Sequence, residues 1–225
     1  MENVNSSELV FVLDKSGSMS GLEADTIGGF NSMLAKQKEQ QGTCRVTTVL
    51  FDNNYKLLHD RIDLAAVSPL TANDYLPGGS TALLDALGDT IHKIIDVQKS
   101  QSAEHRAEKV IFVIITDGQE NSSRRFSAPE IKSLITSQQS EFGWEFIFLG
   151  ANIDAVSTAA RYGISEDRAS RYVNDSKGVN LNFACVGEAL SFIRSKKGRM
   201  TREWKQRIDE DYQAREGHEG HDLPF

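Results

Sequence analysis

The stretch "LVFVLDKSGSMS", residues 9–20, carries the first decision about the fold. Residues 9–13 are apolar without alternation. A strand reads this way when both of its faces are covered, which is the situation in a parallel sheet. The run ends on Asp14, and Ser16 and Ser18 follow at alternate positions around Gly17. This polar end has two readings. Ser18 stands where a serine before a helix acts as its N-cap. Alternatively, Asp14, Ser16 and Ser18 bring three oxygens to one place.

Three further runs match the first: residues 46–51 (VTTVLF), 110–115 (VIFVII) and 145–149 (EFIFL). A weaker strand is expected over 169–173. Between them lie stretches with helical spacing. Ile27, Phe30, Met33 and Leu34 form one stripe, and Leu83, Leu84, Leu87, Ile91, Ile94 and Ile95 a clearer one. Ile131, Leu134 and Ile135 follow Pro129, which suits a first helical turn. Val186, Ala189, Leu190 and Ile193 make the last stripe. One connection differs: Asp52-Asn53-Asn54 joins two strand-like runs as a hairpin turn, which makes the strand from Tyr55 antiparallel and an edge. The expected fold is α/β: a doubly wound, mostly parallel six-stranded sheet with one antiparallel edge strand and helices on both faces.

Composition narrows the function classes. The 225 residues are 39% hydrophobic and 25% charged, neither membrane-like nor disordered in bulk. A net charge of −7 argues against nucleic acid as a partner, since phosphate binding needs a positive face. No apolar run is long enough to span a bilayer, and no basic-apolar leader precedes the first strand, so no membrane partner and a cytoplasmic location are expected. Cys44 and Cys185, far apart and in apolar surroundings, read as buried free thiols. From Gly198 the chain turns highly charged. We expect a domain over 1–197 and a tail over 198–225, with a short helix near 201–213 and then a frayed end. His218 and His221 in that end read as flexible histidines rather than a metal site.

In an open parallel sheet, ligands gather at the carboxyl ends of the strands. Three segments there carry hard oxygen donors with glycine: Asp14-Lys15-Ser16-Gly17-Ser18, Pro77-Gly78-Gly79-Ser80-Thr81 and Thr116-Asp117-Gly118. Carboxylate and hydroxyl oxygens suit magnesium or manganese. Each segment alone has a plainer reading: Ser18 as a cap, Ser80 or Thr81 as the cap of the next helix, Asp-Gly as a turn. Together they fall on one edge of one sheet.

Asp14-x-Ser16-x-Ser18, the threonine of "PGGSTALLDAL" and the aspartate of "VIITDGQEN" resemble a complete metal ion-dependent adhesion site. That is the signature of the von Willebrand factor type A domain family, and the resemblance covers residues 6–195. It implies a Rossmann-like sheet with a short antiparallel edge strand. It implies Asp14, Ser16, Ser18, Thr81 and Asp117 as the metal residues, holding Mg2+ or Mn2+. Thr81 is preferred because it directly precedes Ala82-Leu83, with Ser80 as its competitor. A carboxylate from a partner protein would complete the shell. A cation held largely by neutral hydroxyls keeps positive charge, and so attracts an external anion.

Around the site, Ser80, Glu120 and Asn152 are rim candidates, with Asn121, Arg124 and Arg125 near Glu120. Lys15 is expected to point away from a cation, and Asp154 to cap a helix through Arg161. Asp85 is read as lying at the surface or behind the site, and Gly28 and Gly29 as close packing or a mobile helix start. The leading functional expectation is a divalent-metal-dependent protein-binding module, not an enzyme. The alternative is a magnesium-dependent phosphohydrolase. That reading wants an Asp-x-Asp after the first strand, where this chain has Ser16, and a nucleophile or acid–base partner that the loops do not present.

Overall fold

The computed structural model describes residues 6–195 and 200–216. Six strands form one sheet in the order β3-β2-β1-β4-β5-β6. They are β1 (Ser7–Asp14), β2 (Cys44–Phe51), β3 (Tyr55–Asp63), β4 (Lys109–Thr116), β5 (Glu145–Gly150) and β6 (Ala169–Arg171). Pairing is parallel throughout except for β3, which runs antiparallel along β2 at the edge. The hairpin is closed as its composition implies: Asp52 accepts from Asn54 N through Oδ1 at 2.6 Å. β3 is longer than the run at 55–58, extending through charged residues to Asp63. Its polar residues belong on an edge strand, which needs only one neighbour and exposes one side.

The helices are α1 (Glu23–Lys38), α2 (Leu83–Ser100), α3 (Ala128–Phe142), α4 (Ala155–Arg161), α5 (Ser176–Arg194) and α6 (Gln206–Glu216). Successive β1 residues feed opposite layers. Leu9, Phe11 and Leu13 join α1, α5 and α6 through Phe30, Met33, Val186, Leu190 and Ile208. Val10 and Val12 join α2, α3 and α4 through Leu87, Ile91, Ile135 and Ala159. Two covered faces explain why the strands are apolar without alternation. Cys44 and Cys185 are free and buried.

Other local readings are settled by packing. Asp154 caps α4, accepting from Ser157 N at 3.2 Å. The segment from 198 is docked as far as it is described. Met200 and Ile208 are buried at 4% and 1% exposure, and Trp204 donates to Asp167 O at 2.8 Å. Few apolar residues suffice because Met200, Trp204 and Ile208 all pack against the core layer that holds α1 and α5. His218, His221 and the end expected to fray, 217–225, lie outside the described residues.

The adjacent glycines of α1 have different surroundings. A Cβ on Gly29 would stand 2.3 Å from Phe183 Cδ2, whereas one on Gly28 meets nothing within 4 Å. Gly29 therefore lets α1 and α5 approach, and Gly28 only weakens the helix. Gly28→Ala is expected to stabilise the protein by up to ~1 kcal/mol. Gly29→Ala is expected to destabilise it by ~1–3 kcal/mol through overpacking. Urea unfolding midpoints measure both, and equal shifts of the same sign would contradict this packing.

Candidate metal centre

The chain runs from β1 outward to β2 and β3, then returns to β4 on the other side of β1. The strand order therefore reverses between β1 and β4, and the crevice of a doubly wound sheet opens at their carboxyl ends. Asp14 is the last residue of β1, and Asp117 follows the last residue of β4; each is 1% exposed.

The first loop folds back on Asp14. Ser16 N donates to Asp14 Oδ1 at 2.7 Å, closing a turn through the aspartate side chain. Met19 is buried and anchors the loop in the core. Ser16 and Ser18 hydroxyls lie 3.1 Å apart, and Ser18 Oγ donates to Asp117 Oδ1 at 2.5 Å. Ser18 is not a helix cap: α1 starts at Glu23 with no side-chain cap, and Glu23 itself accepts from Gly21 N.

The second loop is stitched to the first. Gly17 N donates to Gly79 O at 3.1 Å and Gly78 N to Lys15 O at 2.9 Å. Gly79 sits at φ +73°, and a Cβ there would lie 2.1 Å from Asn53 Oδ1, so only glycine fits. Thr81 is 3% exposed while Ser80 is exposed. Thr81 N donates to Asn121 Oδ1 at 3.0 Å, and Thr81 O accepts from Asn121 N and Ser122 N. A Cβ on Gly118 would meet Thr81 Oγ1 at 3.3 Å and Ser18 Oγ at 3.4 Å. Glycine thus leaves the space where the two hydroxyls converge.

Three residues outside the expected five hold the donors in place. Thr116 Oγ1 donates to Asp14 Oδ2 at 2.6 Å, Tyr75 OH donates to Asp14 O at 2.5 Å, and Asn174 Nδ2 donates to Asp117 Oδ2 at 3.2 Å. Thr116 sits beside its aspartate in the sequence, but only the β1–β4 register turns its hydroxyl to Asp14. Asn174 had a faint signal as a polar residue after the last strand.

The rim candidates part company. Both Glu120 oxygens are occupied: Oε2 accepts from Leu84 N at 2.9 Å and Ser123 Oγ at 2.8 Å, Oε1 from Ser122 N and Ser123 N. Glu120 thereby caps α2, which has no cap of its own. Asn152 is exposed with φ 53°, and among the described residues neither it nor Ser80 hydrogen-bonds to the five. Lys15 turns away into an ion pair with Asp52. Burial alone would raise Asp52, but the Lys15 ammonium and the Asn54 amide hold it below the ordinary range. Asp85 accepts from the backbone of Arg124, Arg125 and Phe126, closing the loop after Asp117.

The electrostatics follow from burial. It pushes the Asp14 carboxyl above the ordinary range, against the Thr116 and Ser16 hydrogen bonds, and the nearby Asp117 charge adds to the rise. Burial raises Asp117 as well, against bonds from Ser18 and Asn174. Two buried carboxylates side by side are a cost that a cation relieves. Neighbouring oxygens around an octahedral magnesium stand ~3 Å apart, given metal–oxygen distances of ~2.1 Å. The 2.5 Å and 3.1 Å separations here bracket that spacing. Among the described residues there is no group of three or more His, Cys, Asp or Glu side chains able to hold a metal. The donor set is two carboxylates with hydroxyls, hard oxygens of the kind that suit a hard cation.

Oxygen donors from three loops at the switch point of a doubly wound sheet define the class: an α/β domain with a candidate cation site at its carboxyl edge. A family model, von Willebrand factor type A domain, matches residues 8–182, and the chain belongs to that family. No curated protein matches the chain. Among solved structures it is similar to proximal thread matrix protein 1 from the mussel byssus, at 14% identity and TM-score 0.59 over 84% of this chain and 47% of that one. Another structure of that mussel protein has a zinc-occupied metal ion-dependent adhesion site. A von Willebrand factor type A protein from Catenulispora acidiphila matches at 12% identity and TM-score 0.53, over 82% of this chain and 42% of that one. The manganese-loaded TRAP protein of Plasmodium vivax matches at 14% identity and TM-score 0.52, over 80% and 73%. The chain thus spans about half the length of the first of these structures, and the likeness is one of fold.

The raised Asp14 carboxyl has a definite sign. Without metal, the folded state holds the proton more tightly than the unfolded chain. That contribution is fully present below the ordinary carboxylate range and is lost as pH rises through the raised value. In EDTA, wild type should therefore lose stability relative to Asp14→Asn as pH rises from about 4 to about 7. Magnesium should then raise the wild-type melting temperature and leave that of the variant unchanged. An equal magnesium shift in the variant would place the metal elsewhere. Separately, Glu120→Ala uncaps α2 and is expected to cost ~1–2 kcal/mol, read by urea unfolding.

Proposed function

We propose that this protein is a divalent-metal-dependent protein-binding module. Asp14, Ser16, Ser18, Thr81 and Asp117 would hold Mg2+ or Mn2+, and a carboxylate presented by a partner protein would complete the coordination. The observation that carries this reading is the convergence of Ser18 on Asp117, with Thr81 and Ser18 hydroxyls both facing the space at Gly118. Two acids can formally balance a dication and the three hydroxyls are neutral, so the opening for an anionic oxygen ligand would come from the coordination position that five donors leave in an octahedral shell. The zinc- and manganese-loaded structures support a fold able to present cations at such a place.

We favour binding over catalysis, and so over the phosphohydrolase reading. The acids and bases closest in sequence to the donors are already engaged: Lys15 with Asp52, Glu120 with the start of α2, Asp85 with the backbone after Ser123. The position of a second acid after β1 is Ser16. We further propose a binding domain over 1–197 followed by a charged segment over 198–225, neither nucleic acid nor a membrane as partner, and a cytoplasmic location. The buried free thiols suit a reducing compartment. Among the described residues no helix is long and apolar enough to cross a membrane.

Affinity capture from native cell extract should recover partners in Mg2+ or Mn2+, lose them in EDTA, and lose them with Thr81→Ala. The Thr81 backbone, not its hydroxyl, ties its loop to Asn121 and Ser122, so this variant keeps the loop in place. Interactions that survive EDTA intact would sink the proposal while leaving the fold untouched.

A further inference from the structure

The opposite edge of the sheet carries a second concavity. It lies between the last turn of α2, the segment leading into β4 and the end of α3. Ile95, Ala107, Val110, Phe142 and Trp144 give it apolar walls. Val110 is the second residue of β4, whereas Asp117 follows the last, so this cavity and the metal centre sit at opposite ends of one strand. The packing of the sheet leads into it. Phe146, Phe112 and Trp144 form an aromatic stack, with successive ring centroids 4.9 Å and 5.6 Å apart. Trp144 is the end of that stack, and Phe142, 55% exposed, shares the cavity wall with it.

Three polar side chains converge on the same place. Gln138 is only 7% exposed, and its side-chain amide makes no hydrogen bond among the described residues. Gln98 is oriented by the chain itself, since its Oε1 accepts from Ala107 N at 3.1 Å. The other end of that amide, Nε2, is buried with no acceptor. An unpaired buried donor is a standing cost that an incoming acceptor relieves. Lys99 stands exposed at the rim, without an ion pair among the described residues. The charged residues of the lining are Lys99, Arg106 and Glu108, two cations against one acid in a chain of net charge −7. The cavity measures about 110 Å³. A closed apolar cavity of ~150 Å³ holds one benzene, so this one, open on one side, has room for a single ring.

We propose that this cavity binds a small monocarboxylic acid bearing one ring. The ring lies against Trp144 and Ile95. The carboxylate accepts from Gln98 Nε2 and Lys99 Nζ, and the Gln138 amide donates to its second oxygen. Apolar walls with a few fixed polar groups are the ordinary build of a small-molecule site. Binding here needs no metal and is independent of the reading of Asp14, Ser16, Ser18, Thr81 and Asp117.

Nuclear magnetic resonance of the full 15N-labelled chain tests this with phenylacetate as probe, in EDTA so that no metal competes for the acid. The amide signals of Ala107 and Val110 and the indole N–H of Trp144 should shift together and saturate. A Kd of ~1 mM or below is expected, with Gly118 and the Trp204 indole unmoved. 2-Phenylethanol keeps the ring without the charge, and acetate the charge without the ring; each should bind at least ~10-fold more weakly. Gln98→Glu keeps the acceptor for Ala107 N but replaces the free donor with a carboxylate oxygen, and should weaken phenylacetate at least ~10-fold. Lys99→Glu alters only an exposed rim charge, which leaves folding intact, and should weaken it ~3–10-fold. Absence of saturable shifts at Ala107, Val110 and Trp144 would overturn the site. Equal affinity for 2-phenylethanol would overturn the acid as its ligand. Unchanged affinity in both variants would overturn the carboxylate placement at Gln98 and Lys99.

Discussion

Asp14 ends the central strand with its carboxylate almost wholly shielded from water, and the surrounding architecture answers to that burial. A buried carboxylate needs donors on both oxygens or it costs several kcal/mol. The donors come from different directions: Ser16 N from the next turn, Thr116 Oγ1 from the neighbouring strand. Tyr75 fixes the backbone of the same residue from a third. Each requires the parallel register of β1 and β4 and the close seating of the 75–82 segment over the strand ends. Even so, burial outweighs these bonds and the carboxyl stays raised, which is the unrelieved charge problem a cation would solve.

The rim is arranged so that charge is spent inward. Lys15, between the donors in sequence, is drawn off by Asp52 at the hairpin turn. Glu120 closes the start of α2, and Asp85 closes the loop after Asp117 with three backbone hydrogen bonds. These bonds lock the loops to one another and to the helix starts, so the donor geometry is set before anything binds. They also leave hydroxyls and glycines rather than free charges closest to the site.

On the far side of the site, the β6–α5 loop couples the donors to the last helix. Asn174 faces Asp117 and Asp175 faces Arg215, two adjacent residues pointing to two ends of one contact chain. A charged segment that lacks a continuous apolar face is docked here by Met200, Trp204 and Ile208 together with ion pairs along α6. Burial of a few apolar side chains fixes the segment, and the ion pairs set its register.

Much of this was legible in the amino-acid order. Unalternating apolar runs announced a sheet covered on both faces, and the Asp52-Asn53-Asn54 turn announced its antiparallel edge, because strand burial and turn closure are local properties. Asp14, Ser16, Ser18, Thr81 and Asp117 stood out because each sits beside a strand end or glycine loop that the sequence marks. What pairs with what was decided only in three dimensions. Thr116 stood in an expected donor loop and Glu120 on the expected rim, but nothing local showed that the one would bond Asp14 and the other cap α2, and nothing local set Asn174 apart from any loop asparagine. Their roles depend on which strand lies alongside, and on helix starts that have no cap in their own sequence. A hydrogen bond across tens of residues is a consequence of register and layer packing, and that information enters only when the sheet closes on both its faces.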